Sequence, residues 1–153
     1  MPRVYRAMNA DNGQPAVGTE RNMLGVRVPP DERHDISPDA EGYVQPGGGG
    51  LSVNPSIMAL YEKTVVLIPS HFRHRDKRYK GARGKDPLQI FRLGEGDFAR
   101  AHVTEHLVLA PDRNMPVTHG VIEPARRVLL SEYQSNLQNT RNEWIMLTEP
   151  DGS

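Results

Sequence analysis

The residues of this chain that could do chemistry are six histidines, a run of four glycines and a few charged side chains set inside apolar stretches. His102 and His106 stand four apart, which on a helix would bring both imidazoles to one face. Glu105 does not directly follow the first histidine as a zinc-protease pattern requires, and no metal site is expected. The run Gly47-Gly48-Gly49-Gly50 is not a nucleotide P-loop, because Leu51 stands where the phosphate-binding lysine would be needed. No long helix opens directly after it, as a dinucleotide fingerprint demands. Gly50-Leu51-Ser52-Val53-Asn54 breaks the serine-hydrolase elbow at its last position. Two readings of the glycines stay open: a lip over a small phosphate-bearing ligand, and a flexible surface turn. If the run is ordered, it needs positive φ or a very close approach of backbone to another group. What remains is a scattered constellation of Arg6, Ser52, His119 and Glu123. On a strand, 119 and 123 share a face with Val121 between them, a pattern that suits a cleft wall better than a core. Arg6, inside the apolar run Val4-Tyr5-Arg6-Ala7-Met8, is either the outer face of an edge strand or an anion clamp.

The elements that must position these residues are mostly short strands. Val4 to Met8 reads as a first strand closed by the turn-prone Asn9-Ala10-Asp11-Asn12-Gly13. Leu24-Gly25-Val26-Arg27-Val28 alternates as a second strand, stopped by Pro29-Pro30. Tyr43-Val44 and Leu51-Ser52-Val53 flank the glycines, with Ser52 on the face opposite Leu51 and Val53. Ser56 to Tyr61 reads as a turn or two of helix after Pro55. Thr64 to Ile68, Pro87 to Leu93, Leu107 to Ala110 and Val117 to Glu123 complete the strands. Ser131 and Gln134 form a capping-box pattern, and Tyr133, Leu137, Thr140 or Arg141, Trp144 and Leu147 fall at helical spacing, predicting a C-terminal helix of about 15 residues. Glu149 to Ser153 reads as a frayed tail. The sum is a mostly β, α+β single domain over residues 1–153 with seven or eight short strands and one dominant C-terminal helix.

Composition bounds the function classes. The chain of 153 residues is 37% hydrophobic and carries 14 glycines and 13 prolines, which favours a loop-rich fold over a helical bundle. Nineteen basic and nineteen acidic residues cancel, so no global field draws the protein to nucleic acid or membrane. Locally, His71 to Lys85 is a basic segment interleaved with Phe72 and Tyr79, which could bind phosphates by charge and bases by stacking, or form a solvated loop. Cysteine is absent, which excludes disulfides and thiolate chemistry. Neither a secretory signal nor a run of the roughly 20 apolar residues of a membrane span is seen, so export would need a dedicated machine.

Tyr5-Arg6-Ala7, then Tyr43 through Pro46 with Gly49-Gly50-Leu51-Ser52-Val53, then Thr118-His119 with Ile122, Pro124 and Ala125, follow a recognisable order and spacing. In these the chain resembles the exported type VI secretion toxins whose fold is like that of ADP-ribosyltransferases, over most of its length. The resemblance implies a split, two-sheet β core holding NAD in a cleft. By matching position, Arg6 would be the first-strand arginine and Ser52 the strand serine, with Tyr5, Gly49, Gly50 and His119 beside them as NAD contacts. Glu123 departs from the pattern, since these toxins carry an apolar residue there; its catalytic role is borrowed from ADP-ribosyltransferases in general. A toxin of this kind would be made in the cytoplasm, exported without a cleavable signal and active in the cytoplasm of a target cell, with a cognate immunity protein or antitoxin to restrain it.

The implied mechanism follows from charge development. Breaking the nicotinamide–ribose bond builds positive charge on the ribose, as glycoside hydrolysis does, and a nearby carboxylate stabilises it. Glu123 is expected in that role. Arg6 is expected to grip the pyrophosphate or a ribose hydroxyl, Ser52 to hold strand register or bond to Arg6, the glycine N–H groups to approach the dinucleotide, and His119 to contact the adenosine part. Transfer to a macromolecular target is the leading expectation. The alternatives are an NAD glycohydrolase, with water as acceptor, and a non-catalytic nucleic-acid-binding module built on residues 71–85.

Overall fold

The computed structural model describes residues 1–57, 59–60 and 88–147. The expected strand at Thr64 to Ile68, the basic segment 71–85 and the tail 149–153 lie outside the described residues. What is described is an α+β arrangement, mostly β: eleven short strands in several small sheets, with a helix towards the C-terminus.

Two sheets frame the molecule. In the first, β1 (Val4–Met8) pairs antiparallel with β6 (Gln89–Leu93), which pairs with β11 (Ile145–Met146). In the second, the order is β5 (Leu51–Val53), β9 (Gly120–Pro124), β8 (Leu107–Pro111) and β7 (Ala101–Thr104), all antiparallel. Among the described residues a backbone bridge joins them: the Tyr5 N–H donates to Asn54 O at 2.8 Å and the Asn54 N–H to Tyr5 O at 2.9 Å. Smaller pairs complete the set, β4 (Tyr43–Val44) with β10 (Val128–Leu129), and β2 (Ala10–Asp11) with β3 (Gln14–Pro15). The β2–β3 hairpin turns on Asn12 and Gly13, whose φ values of 53° and 80° suit the mirror-image turn that strand twist prefers.

Strand alternation decides which side chains meet. Because β1 is covered on both faces, Val4 and Met8 enter the main core while Tyr5 and Ala7 enter a second cluster with Ile57, Leu60, Leu88, Ile90 and Leu147. Arg6 shares the face of Val4 and Met8. In the four-stranded sheet, Leu51, Val53, Leu107, Leu109 and Ile122 turn inward to the main core. The alternate residues Ser52, Val108, Ala110 and Val121 form the outer face, and Glu123 lies on that face as well.

Three elements differ from the sequence reading. Leu24 to Val28 is not a strand; Leu24 makes only an isolated bridge to Val17. Side chains replace part of the ladder there: Gln134 Oε1 accepts the Val26 N–H at 3.1 Å and its Nε2 donates to Val26 O at 2.9 Å, while Asp35 Oδ2 accepts the Arg27 N–H at 2.8 Å. An amide side chain can satisfy both backbone groups of one residue, so extended sequence need not find a strand partner. The helix, here α1, runs Leu130–Gln138, nine residues, with Leu129 at its N-cap and no side-chain cap bond, so the Ser131 capping box does not form. It ends where Thr140 Oγ1 donates to Leu137 O at 2.7 Å and accepts Trp144 Nε1–H at 2.9 Å, a local side-chain bond that competes with the helical ladder. Trp144 and Leu147 are buried from beyond the helix, past a short 3-10 turn at Arg141–Glu143. The strand expected from Val117 starts at Gly120, because residues 116–118 form a turn.

Ser56 does open a helical turn, its Oγ accepting the Ala59 N–H and its carbonyl the Leu60 N–H, each at 3.1 Å. No helix among the described residues is long and apolar enough to cross a membrane.

Candidate active site

A cleft of about 740 Å³ opens on the outer face of the four-stranded sheet. Its floor is β9, from which Val121 and Glu123 face it, together with His119 just before the strand. Gly47 and Gly49 line it as a lip, and Arg100, Asp112 and Arg113 line it as well.

Glu123 is 3% exposed, and both its oxygens are engaged. Oε2 accepts the Gly47 N–H at 2.9 Å and Oε1 faces Arg100 Nη2 at 3.1 Å. A buried carboxylate is costly unless paired, and here a backbone donor and a cation supply the pairing. The sequence gives Glu123 this place through register: Val108 of β8 lies opposite it, and its neighbours Ile122 and Pro124 are buried.

Ser52 lies opposite Val121 in the β5–β9 ladder, and its hydroxyl reaches His119 Nε2 at 2.6 Å. His119 Nδ1 in turn faces Asp112 Oδ2 at 3.3 Å. Asp112 is held by the Asn114 N–H at 2.8 Å and the Met115 N–H at 3.2 Å, both on Oδ1. The Asn114 N–H and then the His119 imidazole hold its carboxyl below the ordinary aspartate value. Serine, histidine and aspartate thus form one chain of hydrogen bonds at the edge of the cleft.

The glycine run is ordered by both of the means expected for it. Gly47 and Gly49 have φ of 85° and 109°. A Cβ on Gly49 would lie 2.2 Å from Asp35 O, and one on Gly50 would lie 2.4 Å from Ile122 O. The run does not present a row of open donors, however. The Gly47 N–H is bound to Glu123, the Gly48 N–H to Gln45 O and the Gly50 N–H to Asp35 O. Gly50 is buried against β9 and Tyr133, away from the cleft. The Tyr133 hydroxyl donates to Ile122 O at 2.6 Å and accepts the Leu51 N–H at 3.1 Å, and burial pushes its pKa well above the usual tyrosine value.

Arg6 and Tyr5 are not on the cleft. Tyr5 is fully buried in the second apolar cluster, because alternation turns it away from the face that carries Arg6. Arg6 is half-buried on the core side; Nη1 donates to Ser52 O at 2.8 Å and Nη2 to Met23 O at 3.0 Å. Burial pulls its pKa down to about 10, with Asp35 acting in the opposite sense. It meets Ser52 through backbone alone, so the guanidinium clamps β5 to the loop at Met23 and the hydroxyl points the other way.

Asp112 and Arg100 escaped the sequence reading. Asp112 follows Pro111 at a strand end and looks like a turn residue, while Arg100 sits in the irregular loop after Gly94-Glu95-Gly96-Asp97. The one signal for Asp112 is its Asp-x-Asn spacing, which suits a side-chain turn. His102 and His106, raised as a helical pair, lie on and just after β7 in a strand–turn–strand, and His102 Nδ1 contacts Thr104 O at 3.0 Å.

A search of curated proteins found no match. A family model for the Tse2 ADP-ribosyltransferase toxin matches residues 3–144, taking in β1, the glycine lip, the cleft and α1. The chain belongs to the Tse2 ADP-ribosyltransferase toxin family.

Proposed function

We propose that this chain binds NAD in the cleft on the four-stranded sheet and transfers ADP-ribose to a macromolecular target inside a cell it poisons. The observation that carries this is Glu123, a buried carboxylate fixed by Gly47 and Arg100 on a cleft wall, in a chain of an ADP-ribosyltransferase toxin family. The cleft's volume of about 740 Å³ is in the range of small-molecule sites. Exposed Arg100 and Arg113 at its edge suit a pyrophosphate, since guanidinium groups pair with phosphate oxygens in a planar fork. The residues present therefore fit a dinucleotide.

Bound NAD would supply a ribose carbon that becomes positively charged as nicotinamide departs. Glu123 stabilises that charge from a position fixed before the reaction, where a buried carboxylate acts with little screening. Arg100 pairs with Glu123 and, being 65% exposed at its side chain, can also reach a phosphate. Gly49 admits a ligand close to the lip. Ser52 and His119 lie beside the reacting centre, and Arg6 holds Ser52 in place from behind. In this reading the two sheets joined at Tyr5 and Asn54 are the split core of an ADP-ribosyltransferase-like fold, and residues 1–153 form one toxin domain. The producing cell exports it through a type VI machine and protects itself with a cognate immunity protein.

Incubation with labelled NAD and a bacterial extract tests the reading. Label on a macromolecule supports transfer, free ADP-ribose alone makes the protein a glycohydrolase, and intact NAD overturns both.

A further inference from the structure

Both oxygens of Glu123 are occupied, one by a backbone N–H and one by a guanidinium. With its two oxygens turned to Gly47 and Arg100, this carboxylate is placed to face positive charge rather than to collect a proton from an acceptor. Transfer to a hydroxyl or amide nevertheless releases a proton, which must go somewhere.

We infer that His119 is the general base of this site, set in its Nδ1–H tautomer by Asp112 so that Nε2 takes the proton relayed through Ser52. The inference rests on the functional reading above and gives it a substrate class: an acceptor that must lose a proton, such as a hydroxyl, rather than a group already able to react without a base.

Hydrogen-bond direction supports it. The Asp112 carboxylate is acceptor-only when ionised, so the atom facing it, His119 Nδ1 at 3.3 Å, must be the donor. Nε2 of the neutral ring is then an acceptor, and the Ser52 hydroxyl at 2.6 Å donates to it. The oxygen lone pairs of Ser52 are left for an incoming O–H or N–H. The acceptor's proton passes to Ser52 Oγ, and the serine proton passes to Nε2. The acceptor atom bonds to the ribose carbon, and the electron pair of the broken bond leaves with nicotinamide, which departs neutral. One proton ends on the imidazole, stabilised by Asp112.

The same geometry argues against acyl transfer at Ser52. Backbone N–H groups beside a serine nucleophile are needed to hold an oxyanion. Ser52 lies mid-strand, with the Leu51 N–H on Tyr133 and β5 in ladder with β9. Among the described residues, Asp112, Arg113, Glu123 and Arg100 line the cleft with His119, and Arg6 lies behind the Ser52 carbonyl.

Asp112 is a positioning residue, and Asp112→Asn tests it with the loop intact, since the asparagine oxygen can still cap the Asn114 and Met115 N–H groups. The new amide N–H would face Nδ1 and force the opposite tautomer. In the wild type, nitrogen NMR shifts of the free protein should show His119 protonated at Nδ1, and in Asp112→Asn at Nε2. The variant's kcat should fall by about 10²-fold, with KM for NAD little changed. The rise of activity with pH should move to lower pH, because losing a neighbouring anion eases deprotonation of the ring. A wild-type ring protonated at Nε2, or an Asp112→Asn pH profile that overlays the wild type, overturns the inference. Wild-type protein that leaves NAD intact overturns the functional reading and the base role with it. The nitrogen shifts still report separately whether the relay exists.

Discussion

The Gly47 N–H donates to the Glu123 carboxylate at 2.9 Å across 76 residues of chain, so the flexible-looking glycine lip and the late strand form one structure. Left-handed backbone at Gly47 aims that N–H inward, and the buried acid gains the partner that its burial demands.

The glycines should therefore differ sharply under substitution. Gly49→Ala drives a Cβ to within 2.2 Å of Asp35 O at a φ of 109°, so it should cost well above the ~1–2 kcal/mol of left-handed strain alone. Gly47→Ala meets open space and should cost only that strain, about 1–2 kcal/mol. Gly48→Ala, with ordinary φ and Gln45 O at 3.3 Å, should lie within about 0.5 kcal/mol of wild type. Urea unfolding of the three variants checks the order.

Arg6→Ala should act on stability before chemistry. Losing charge-assisted bonds to Ser52 O and Met23 O should cost about 2–3 kcal/mol. Arg6→Lys should recover only part of this, because an ammonium cannot span two carbonyls as a planar fork does. Denaturation midpoints, set beside NAD turnover per folded molecule, separate the clamp from a direct contact with ligand. Residual turnover should remain in whatever fraction stays folded.

Acid should weaken the fold partly through Asp39. Its carboxylate accepts the Tyr43 N–H, pairs with Arg127 and accepts the Glu41 N–H, and these hold its pKa below the ordinary aspartate value. A depressed folded-state pKa contributes stability above the unfolded value of about 3.9, and this is lost as pH falls through the depressed one. Asp39→Asn should lower the thermal midpoint at about pH 6, and the difference should close towards about pH 2. Equal differences at both pH values would contradict the assignment.

Short alternating strands were legible because alternation is a local signal. β1, β4, β5, β6 and β8 lie where Val, Tyr, Leu and Ile alternate or cluster, and the shared face of 119, 121 and 123 was visible for the same reason. What local pattern could not reveal is which face a strand turns to which neighbour. Arg6 and Ser52 belong to adjacent strands yet project to opposite sides, a consequence of a two-residue bridge at Tyr5 and Asn54 that leaves no trace in either segment. The helix was overestimated because Trp144 and Leu147 fit its period, whereas Thr140 ends it with a side-chain bond that periodicity does not see. Asp112 and Arg100 were hidden for another reason, since their roles depend on contacts with His119 and Glu123 that only folding makes.

The central claim is that the Glu123 carboxylate stabilises charge in a reaction on NAD. Glu123→Gln keeps the side chain's shape and its acceptor for the Gly47 N–H but removes the negative charge. Label from NAD appearing on extract macromolecules should fall by about 10²-fold or more, with a folded protein by circular dichroism. A folded Glu123→Gln protein that labels its target as fast as the wild type would contradict the account.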